Sequence, residues 1–528
     1  MKKILISLLL ILTVTLSFTA CDHDGFKMIL NGEFGSIIED ILGDTADDDI
    51  CSHTDIDDDG KCEFCGADLE SNKNNDDGNN NDSGDCSVHE DTDNNGYCDI
   101  CTVYVIEIFD FYVLNDLHGK FTDGDNHPGV DELTTYLKDK VATEDNVILL
   151  SSGDMWQGGS ESNLTKGLII TDWMNSLNFA AMALGNHEFD WGEEYIISNA
   201  DLAEFPILAI NVYAKETNQR VPYCDSSVMI EMDGVQIGII GAIGDCYSSI
   251  AGANVEDVYF KVGSELTALV KAESEMLRAQ GADFIIYSLH DGYGSTTSNS
   301  SISSLALSDY YDSDLSSGGY VDLVFEGHTH QRYAFSDTYG VYHLQNGGEN
   351  KGISHVEVTV NYANGNSQVN VAEFISTSVY SSLADDPVVE DLLTKYEDLI
   401  SKGNEVLGTN KSYMDDSELE DLVARLYYEF GVEKWGDEYD IVLGGGSLKT
   451  RSPYNLAAGN VTYGDLLSLL PFDNNITLCS IKGSYLKSRF INSNSDDYHI
   501  YMPSSRTIED NKTYYIVVDT WTSKSRAK

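Results

Sequence analysis

Basic residues are scarce in this chain: 31 Lys and Arg stand against 88 Asp and Glu in 528 residues, for a formal net charge of -57. A surface of that sign repels nucleic acid and anionic membranes, and no basic stripe interrupts it, which argues against a nucleic-acid partner. Small anions meet the same repulsion, so a site for them would need local positive charge from placed arginines or bound cations. Long apolar runs are lacking too: beyond the N-terminal one, no stretch is long and apolar enough to cross a bilayer. The length itself exceeds what one hydrophobic core organises and implies two or more domains.

The N-terminal run is MKKILISLLLILTVTLSFTAC. Lys2 and Lys3, an apolar stretch and small residues read as a secretory signal over 1–20 rather than a membrane span. Its end, Phe18-Thr19-Ala20-Cys21, resembles a bacterial lipobox. That resemblance implies lipidation of Cys21 and a place at the cell surface, outside the cytoplasm, with the membrane reached through a lipid anchor only. Residues 21–50 read as an acidic tether.

A tandem repeat follows over 51–101: CSHTDIDDDGKCEFC (51–65) and CSVHEDTDNNGYCDIC (86–101), separated by an Asn/Asp/Gly/Ser linker (71–85) that reads as disordered. Cys51, His53, Cys62 and Cys65 in one copy, and Cys86, His89, Cys98 and Cys101 in the other, are donor sets suited to closed tetrahedral zinc sites. Disulfides across the copies are the alternative for an exported protein. Asp55, Asp57 and Asp59, and Asp91, Asp93 and Asn95, resemble the opening of a calcium loop. The bidentate Glu of a full EF-hand is missing, since Gly66 and Thr102 stand at its position.

From 103 the texture changes. Apolar runs of strand length (103–114, 146–150, 179–184, 205–210, 235–243, 282–289 and 321–325) are separated by helix-length segments. This predicts a layered α/β domain over 103–385. Residues 386–403 carry helical apolar spacing at Val389, Leu392, Leu393, Tyr396 and Leu399, with Gly403 as a closing cap, and read as a linker helix. Residues 404–528 form a second, smaller domain.

The polar clusters lie just after these runs. LNDLHG supplies Asp116 and His118, SSGDMWQGG supplies Asp154, and ALGNHEFDWG supplies Asn186 and His187. YSLHDG supplies His290, and FEGHTH supplies His328 and His330. The carboxyl ends of strands in an open α/β sheet gather at one crevice, the usual place for a ligand. Asp, Asn and His together suit Zn, Mn, Fe or Co. Asp116 and His118, like His328 and His330, are two apart and would face the same way in extended chain. Without His187 these are seven ligands, too many for one tetrahedral ion and enough for two if one carboxylate bridges. Two ions about 3.5–4 Å apart make the clamp used for in-line displacement at phosphorus. His127, His343, His355 and His499 lack such a setting and read as ordinary.

In order, Asp116-Leu117-His118, Gly153-Asp154, Gly185-Asn186-His187-Glu188, His290 and Gly327-His328-Thr329-His330 resemble the motif series of the 5'-nucleotidase family of calcineurin-like metallophosphoesterases. The resemblance implies a layered α/β-β-α metallophosphoesterase domain joined to a smaller α/β nucleotidase domain. It implies one divalent ion on Asp116, His118, Asp154 and His330, and another on Asp154, Asn186, His290 and His328, with Asp154 bridging. Asn186 would also touch substrate, His187 would act on the phosphate or the leaving group, and Asp190 would orient His187. Glu188 reads as structural. By the same resemblance, segment 441–476 places Phe472 against a nucleobase and Arg451 toward the phosphate or a carboxylate, with Lys449 where a first arginine is expected. The expected activity is hydrolysis of nucleoside 5'-monophosphates or related nucleotides by a shared, activated water. The alternatives are 2',3'-cyclic nucleotides, nucleotide sugars or phosphoesters at large, or an inactive surface-binding protein on the same scaffold.

Overall fold

The computed structural model describes residues 89–123, 128–293, 311–446, 455–472, 475–492, 499–520 and 522–523. The signal, Cys21, the first repeat, Cys86, His127, Lys449 and Arg451 lie outside the described residues.

In chain order the strands of the larger domain begin with β1 Ile106–Leu114, β2 Val147–Ser151, β3 Ala181–Ala183, β4 Ile207–Leu208, β5 Val212–Ala214, β6 Ser227–Met232 and β7 Val235–Ile243. They continue with β8 Val258–Phe260, β9 Phe284–His290, β10 Leu323–Glu326, β11 Arg332–Ser336, β12 Tyr342–Asn346, β13 Gly352–Asn361 and β14 Asn366–Ser376. Each apolar run seen in the sequence is a strand: β1 to β4, β7, β9 and β10. Strands β11 to β14 have no counterpart among those runs. Their residues alternate or stay largely polar, as in NSQVNVAEFIS of β14, because β11 and β14 are sheet edges with one face exposed.

Two six-stranded sheets result, ordered β14-β13-β1-β2-β3-β4 and β11-β12-β10-β9-β7-β6. β1 to β4 are parallel neighbours, and so are β7, β9, β10 and β12. β1 shows why the sheets stack. Alternate side chains point to opposite faces of a strand. Phe109, Phe111 and Val113 therefore pack against Ile237, Ile239, Phe284, Ile286 and Phe325 of the other sheet. Tyr112 and Leu114 pack on the other side against Leu133, Leu137 and Trp173 of the covering helices. Burying each such Phe fully is worth about 1.5–3 kcal/mol. Helices Asp131–Thr143, Leu168–Ser176 and Glu193–Leu202 return the chain between the parallel strands of the first sheet, and Ser264–Ala279 does so between β7 and β9. That pattern delivers the carboxyl ends of β1, β2, β3, β9 and β10 to one edge.

The second repeat folds onto the turn joining β13 to β14. Asn361 Nδ2 donates to the Asp91 carboxylate (2.7 Å), Asn364 Nδ2 to the Asp91 carbonyl (2.9 Å), and Asn366 Nδ2 to Asn94 Oδ1 (2.8 Å). Cys98, Cys101 and Val105 are buried against Tyr362 and Ala363. The linker is not one helix. Asp386 caps Pro387–Lys395, Tyr396 breaks it with φ -102 and ψ 11, and Glu397–Ile400 and a 3-10 turn Ser401–Asn404 follow. Gly403 lies inside that turn and caps nothing. The apolar stripe fails at Leu399, which is 48% exposed, so no burial holds the helix straight.

The smaller domain contains β15 Val406–Asn410, β16 Ile441–Gly446, β17 Gly459–Thr462, β18 Ile476–Lys482, β19 His499–Tyr501 and β20 Thr513–Asp519. Its four-stranded sheet runs β18-β20-β16-β19. Helix Asp416–Trp435 begins with a capping box between Asp415 and Glu418 and buries Leu419, Val423, Ala424 and Gly431. Among the described residues no helix is long and apolar enough to cross a membrane.

Candidate active site

The shared sheet edge collects the strand-end clusters. Asp116, His118, Asp154, Asn186 and His290 are buried there, and His328 and His330 are half-buried. Ligand atoms of Asp116, His118 and His330 lie within 4.8 Å of one another, as do those of Asp116, Asp154 and His290. His118 Nε2 is 3.0 Å from His330 Nε2, and His290 Nε2 is 3.1 Å from Asp154 Oδ2. Asp116 and His118 meet in one group as expected, though not through extended backbone, whereas His328 and His330 part. Asp116, His118, Asp154, His328 and His330 all have positive φ, between 51° and 67°. His330 turns toward Asp116 and His118, whereas His328 joins His290 and Cys246. Left-handed backbone in non-glycine residues costs on the order of 1–2 kcal/mol each and persists only where surroundings enforce it.

Those surroundings are visible. The Asp116 carboxylate accepts the His328 N–H (2.9 Å) and Asn115 Nδ2 (2.6 Å), while Asn115 Oδ1 accepts the Asn346 N–H (3.0 Å). His118 Nδ1 donates to the Gln157 carbonyl (3.0 Å) and His290 Nδ1 to the Ser152 carbonyl (2.6 Å). Both contacts leave Nε2 facing the site, the arrangement usual for histidines that ligate a metal. Gly185 is required by close approach: an added Cβ would sit 2.8 Å from His290 Nε2 and collide with the Asp154 carboxylate.

Burial and the neighbouring His290 push His328 down to about 4, so its ring is neutral and able to ligate. Burial alone would raise Asp116 and Asp154. The charges of His330 beside Asp116 and of His290 beside Asp154 outweigh it and keep both carboxylates ionised. His290 is itself pushed up to about 10, burial being overcome by Asp154, so a cation taken there displaces a proton. Asn186 Oδ1 is buried without a hydrogen-bond partner, and His290 Nε2 faces the Asp154 carboxylate at 3.1 Å. A buried polar atom left so costs about 1–3 kcal/mol. Divalent cations would satisfy both, and the residues present fit such ions.

Glu188 is the structural member of the ALGNHEFDWG segment. Its carboxylate accepts the N–H groups of Asp154 (2.9 Å), Met155 (2.8 Å), Trp156 (3.3 Å) and Gly185 (2.7 Å), tying the loop after β2 to the loop after β3. Burial, then the charge of Asp154, pushes it up to about 7. His187 is half-buried, with its ring centroid 5.2 Å from that of His118. Its Nδ1 is 2.6 Å from Asp190 Oδ2, and the two side chains are 18% and 15% exposed. Asn254 Nδ2 donates to the Asp190 carbonyl (2.6 Å), a support with no motif in the sequence to announce it. Phe472, from the smaller domain, places its ring centroid 5.7 Å from that of His187.

Other expectations fall elsewhere. Donor atoms of His89, Cys98 and Cys101 lie within 4.8 Å of one another, but Cys101 is disulfide-bonded, which removes it from a thiolate set in this state. Cys224, Cys246 and Cys479 are free thiols. Asp91, Asp93 and Asp99 also approach within 4.8 Å. His343, read as ordinary, is fully buried between Glu326 (3.5 Å) and Asp337 (3.8 Å).

Comparison with known proteins matches residues 109–332 to the family described as "Calcineurin-like phosphoesterase" and 401–502 to "5'-nucleotidase, C-terminal domain". The protein UshA of Yersinia enterocolitica is 26% identical over 430 residues, 71% of this chain and 74% of its own length. A 5'-nucleotidase of Diplobatis ommata is 27% identical over 395 residues, 69% of this chain and 65% of its own. The crystal structure of a 5'-nucleotidase precursor from Thermus thermophilus superposes with a TM-score of 0.61 at 18% identity, covering 79% of this chain and 90% of that one; this likeness is one of fold.

Proposed function

We propose that this chain, which belongs to the 5'-nucleotidase family of the calcineurin-like metallophosphoesterases and is a metal-dependent phosphoester hydrolase, hydrolyses nucleoside 5'-monophosphates or related nucleotides to nucleoside and phosphate. The observation that carries the nucleotide reading is the Phe472 ring standing 5.7 Å from that of His187, the neighbour in sequence of Asn186, whose buried Oδ1 has no hydrogen-bond partner. Aromatic stacking accepts any base and so favours nucleosides as a class.

Asp116, His118, Asp154 and His330 would hold one divalent ion, and Asp154, Asn186, His290 and His328 the other. Bound there, the ions would supply the positive charge that draws phosphate into an acidic protein and the acidity that ionises a water for in-line attack. The chain's own residues do the rest. Asp190 accepts from His187 Nδ1 and so directs Nε2 at the phosphate, where it stabilises growing charge or protonates the leaving oxygen. Asn186 also contacts substrate, and Arg451 serves the anionic end. In this reading the chain is exported by its N-terminal signal and held at the membrane by lipid on Cys21; a Cys21→Ala chain found in the soluble fraction supports the anchor, and one still in membranes refutes it.

The catalytic test is a phosphate-release panel at pH 7–8 with added Mn or Zn. It covers nucleoside monophosphates, 2',3'-cyclic nucleotides, nucleotide sugars and simple esters. Release from 5'-monophosphates, abolished by Asp154→Asn, is expected. Release from simple esters alone would defeat the nucleotide claim, and no release above the Asp154→Asn background would favour the inactive scaffold.

A further inference from the structure

Gln345 lies on β12, between β10, which emits the loop carrying His328 and His330, and β11, which receives it. Its side chain is fully buried, at 0% exposure. Oε1 accepts from the Thr329 hydroxyl (3.1 Å) and the Gln331 N–H (2.7 Å). Nε2 donates to the Gly327 carbonyl (2.8 Å) and the Tyr333 hydroxyl (3.1 Å). A carboxamide has two donor hydrogens and two acceptor lone pairs, so this one is used up. Every contact falls on an odd-numbered residue of the segment 327–333. Of the even ones, His328 and His330 are left to face the candidate metal site, with φ of 67° and 51°. The partner hydroxyl is anchored in turn, since Tyr333 donates to Glu326 (2.9 Å), the residue that ends β10.

We propose that Gln345 is a positioning residue. By gripping alternate residues of the 327–333 segment, it sets the separation of His328 from His330, so that one imidazole serves each of the two cations. This rests on the two-ion reading above. Asp116 meets this segment at the His328 N–H and at His330 Nε2, 3.3 Å from its Oδ1. Gln345 holds the residues on both sides of each imidazole.

The test is Mn²⁺ titration of chelator-stripped full-length protein, wild type against Gln345→Met, with near-UV circular dichroism as a check on the metal-free fold. The variant should keep the metal-free spectrum and bind both ions about 10–100-fold more weakly, as substitutions of residues that orient metal ligands do. Gln345→Glu should recover part of the loss at pH 6 and less at pH 8, because only a protonated carboxyl can donate to the Gly327 carbonyl. Should Gln345→Met fail to fold, Thr329→Val, which removes one of the four contacts, should weaken binding several-fold. Wild-type affinity and stoichiometry in whichever variant folds overturns the role of Gln345. A wild type that binds fewer than two Mn²⁺ overturns the two-ion reading itself.

Discussion

The phosphoesterase domain and the smaller domain meet at His187 and Phe472, and they hold their side chains by opposite means. On one side, Asp116, His118, Asp154 and His290 are buried, each with a named backbone or carboxamide partner. On the other, Phe472 is half-buried just beyond a short helix, Tyr463–Leu469, and reaches the site through a ring-to-ring approach. Hydrogen bonds in a buried network are directional and costly to lose, whereas ring packing tolerates displacement. On the proposed reading, the chemistry is built into the hydrogen-bonded edge, and selectivity is left to an element that can change without disturbing it.

The comparison breaks most visibly at Asp154. Asp154→Asn should lower kcat/KM roughly 10³-fold or more and remove bound metal, measured by phosphate release and elemental analysis. His187→Ala should lower kcat by about 10²–10⁴-fold while metal content and KM stay near wild type, because it acts on phosphate rather than on ions. Asp190→Asn should follow the same split with a smaller loss. Phe472→Ala sharpens the contrast from the other side: KM for nucleotides should rise about tenfold, with little change for a simple ester or in metal content. A variant of Phe472 that lost metal would erase the distinction between the two regions.

A last effect concerns stability and leaves activity alone. Burial would lower His343, but Asp337 and Glu326 push it up to about 9 from an ordinary 6.5. A raised folded value stabilises fully below about pH 6.5, and the contribution is lost as pH rises through 9. Denaturant unfolding of the phosphoesterase domain should therefore weaken over that window by up to about 3 kcal/mol, and His343→Leu should flatten the slope. The smaller domain has no fully buried imidazole among its described residues and should show no such window.

What could be read in advance follows a pattern. The strands β1 to β4, β7, β9 and β10 were legible because a strand buried on both faces must be continuously apolar. The edge strands β11 and β14 were not, since one exposed face removes that signal. Asn186, His187 and Glu188 could be singled out by chemistry and place. That Glu188 spans the loops after β2 and β3, or that Gln345 grips the segment bearing two imidazoles, had no local signature. Likewise the second repeat was legible as a Cys, His and Asp pattern, while its seat on Asn361, Asn364 and Asn366 was not.

By itself the sequence determined which side chains are available and roughly where each strand ends, because ligand chemistry and hydrophobic period are properties of neighbours in the chain. Only the tertiary structure decided that His118 and His330, 212 residues apart, stand 3.0 Å from each other. It alone decided that five of the seven candidate ligands adopt left-handed backbone and that the Phe472 ring lies 5.7 Å from that of His187. Those outcomes depend on sheet register and domain packing, which are collective free-energy minima that no short stretch of residues encodes.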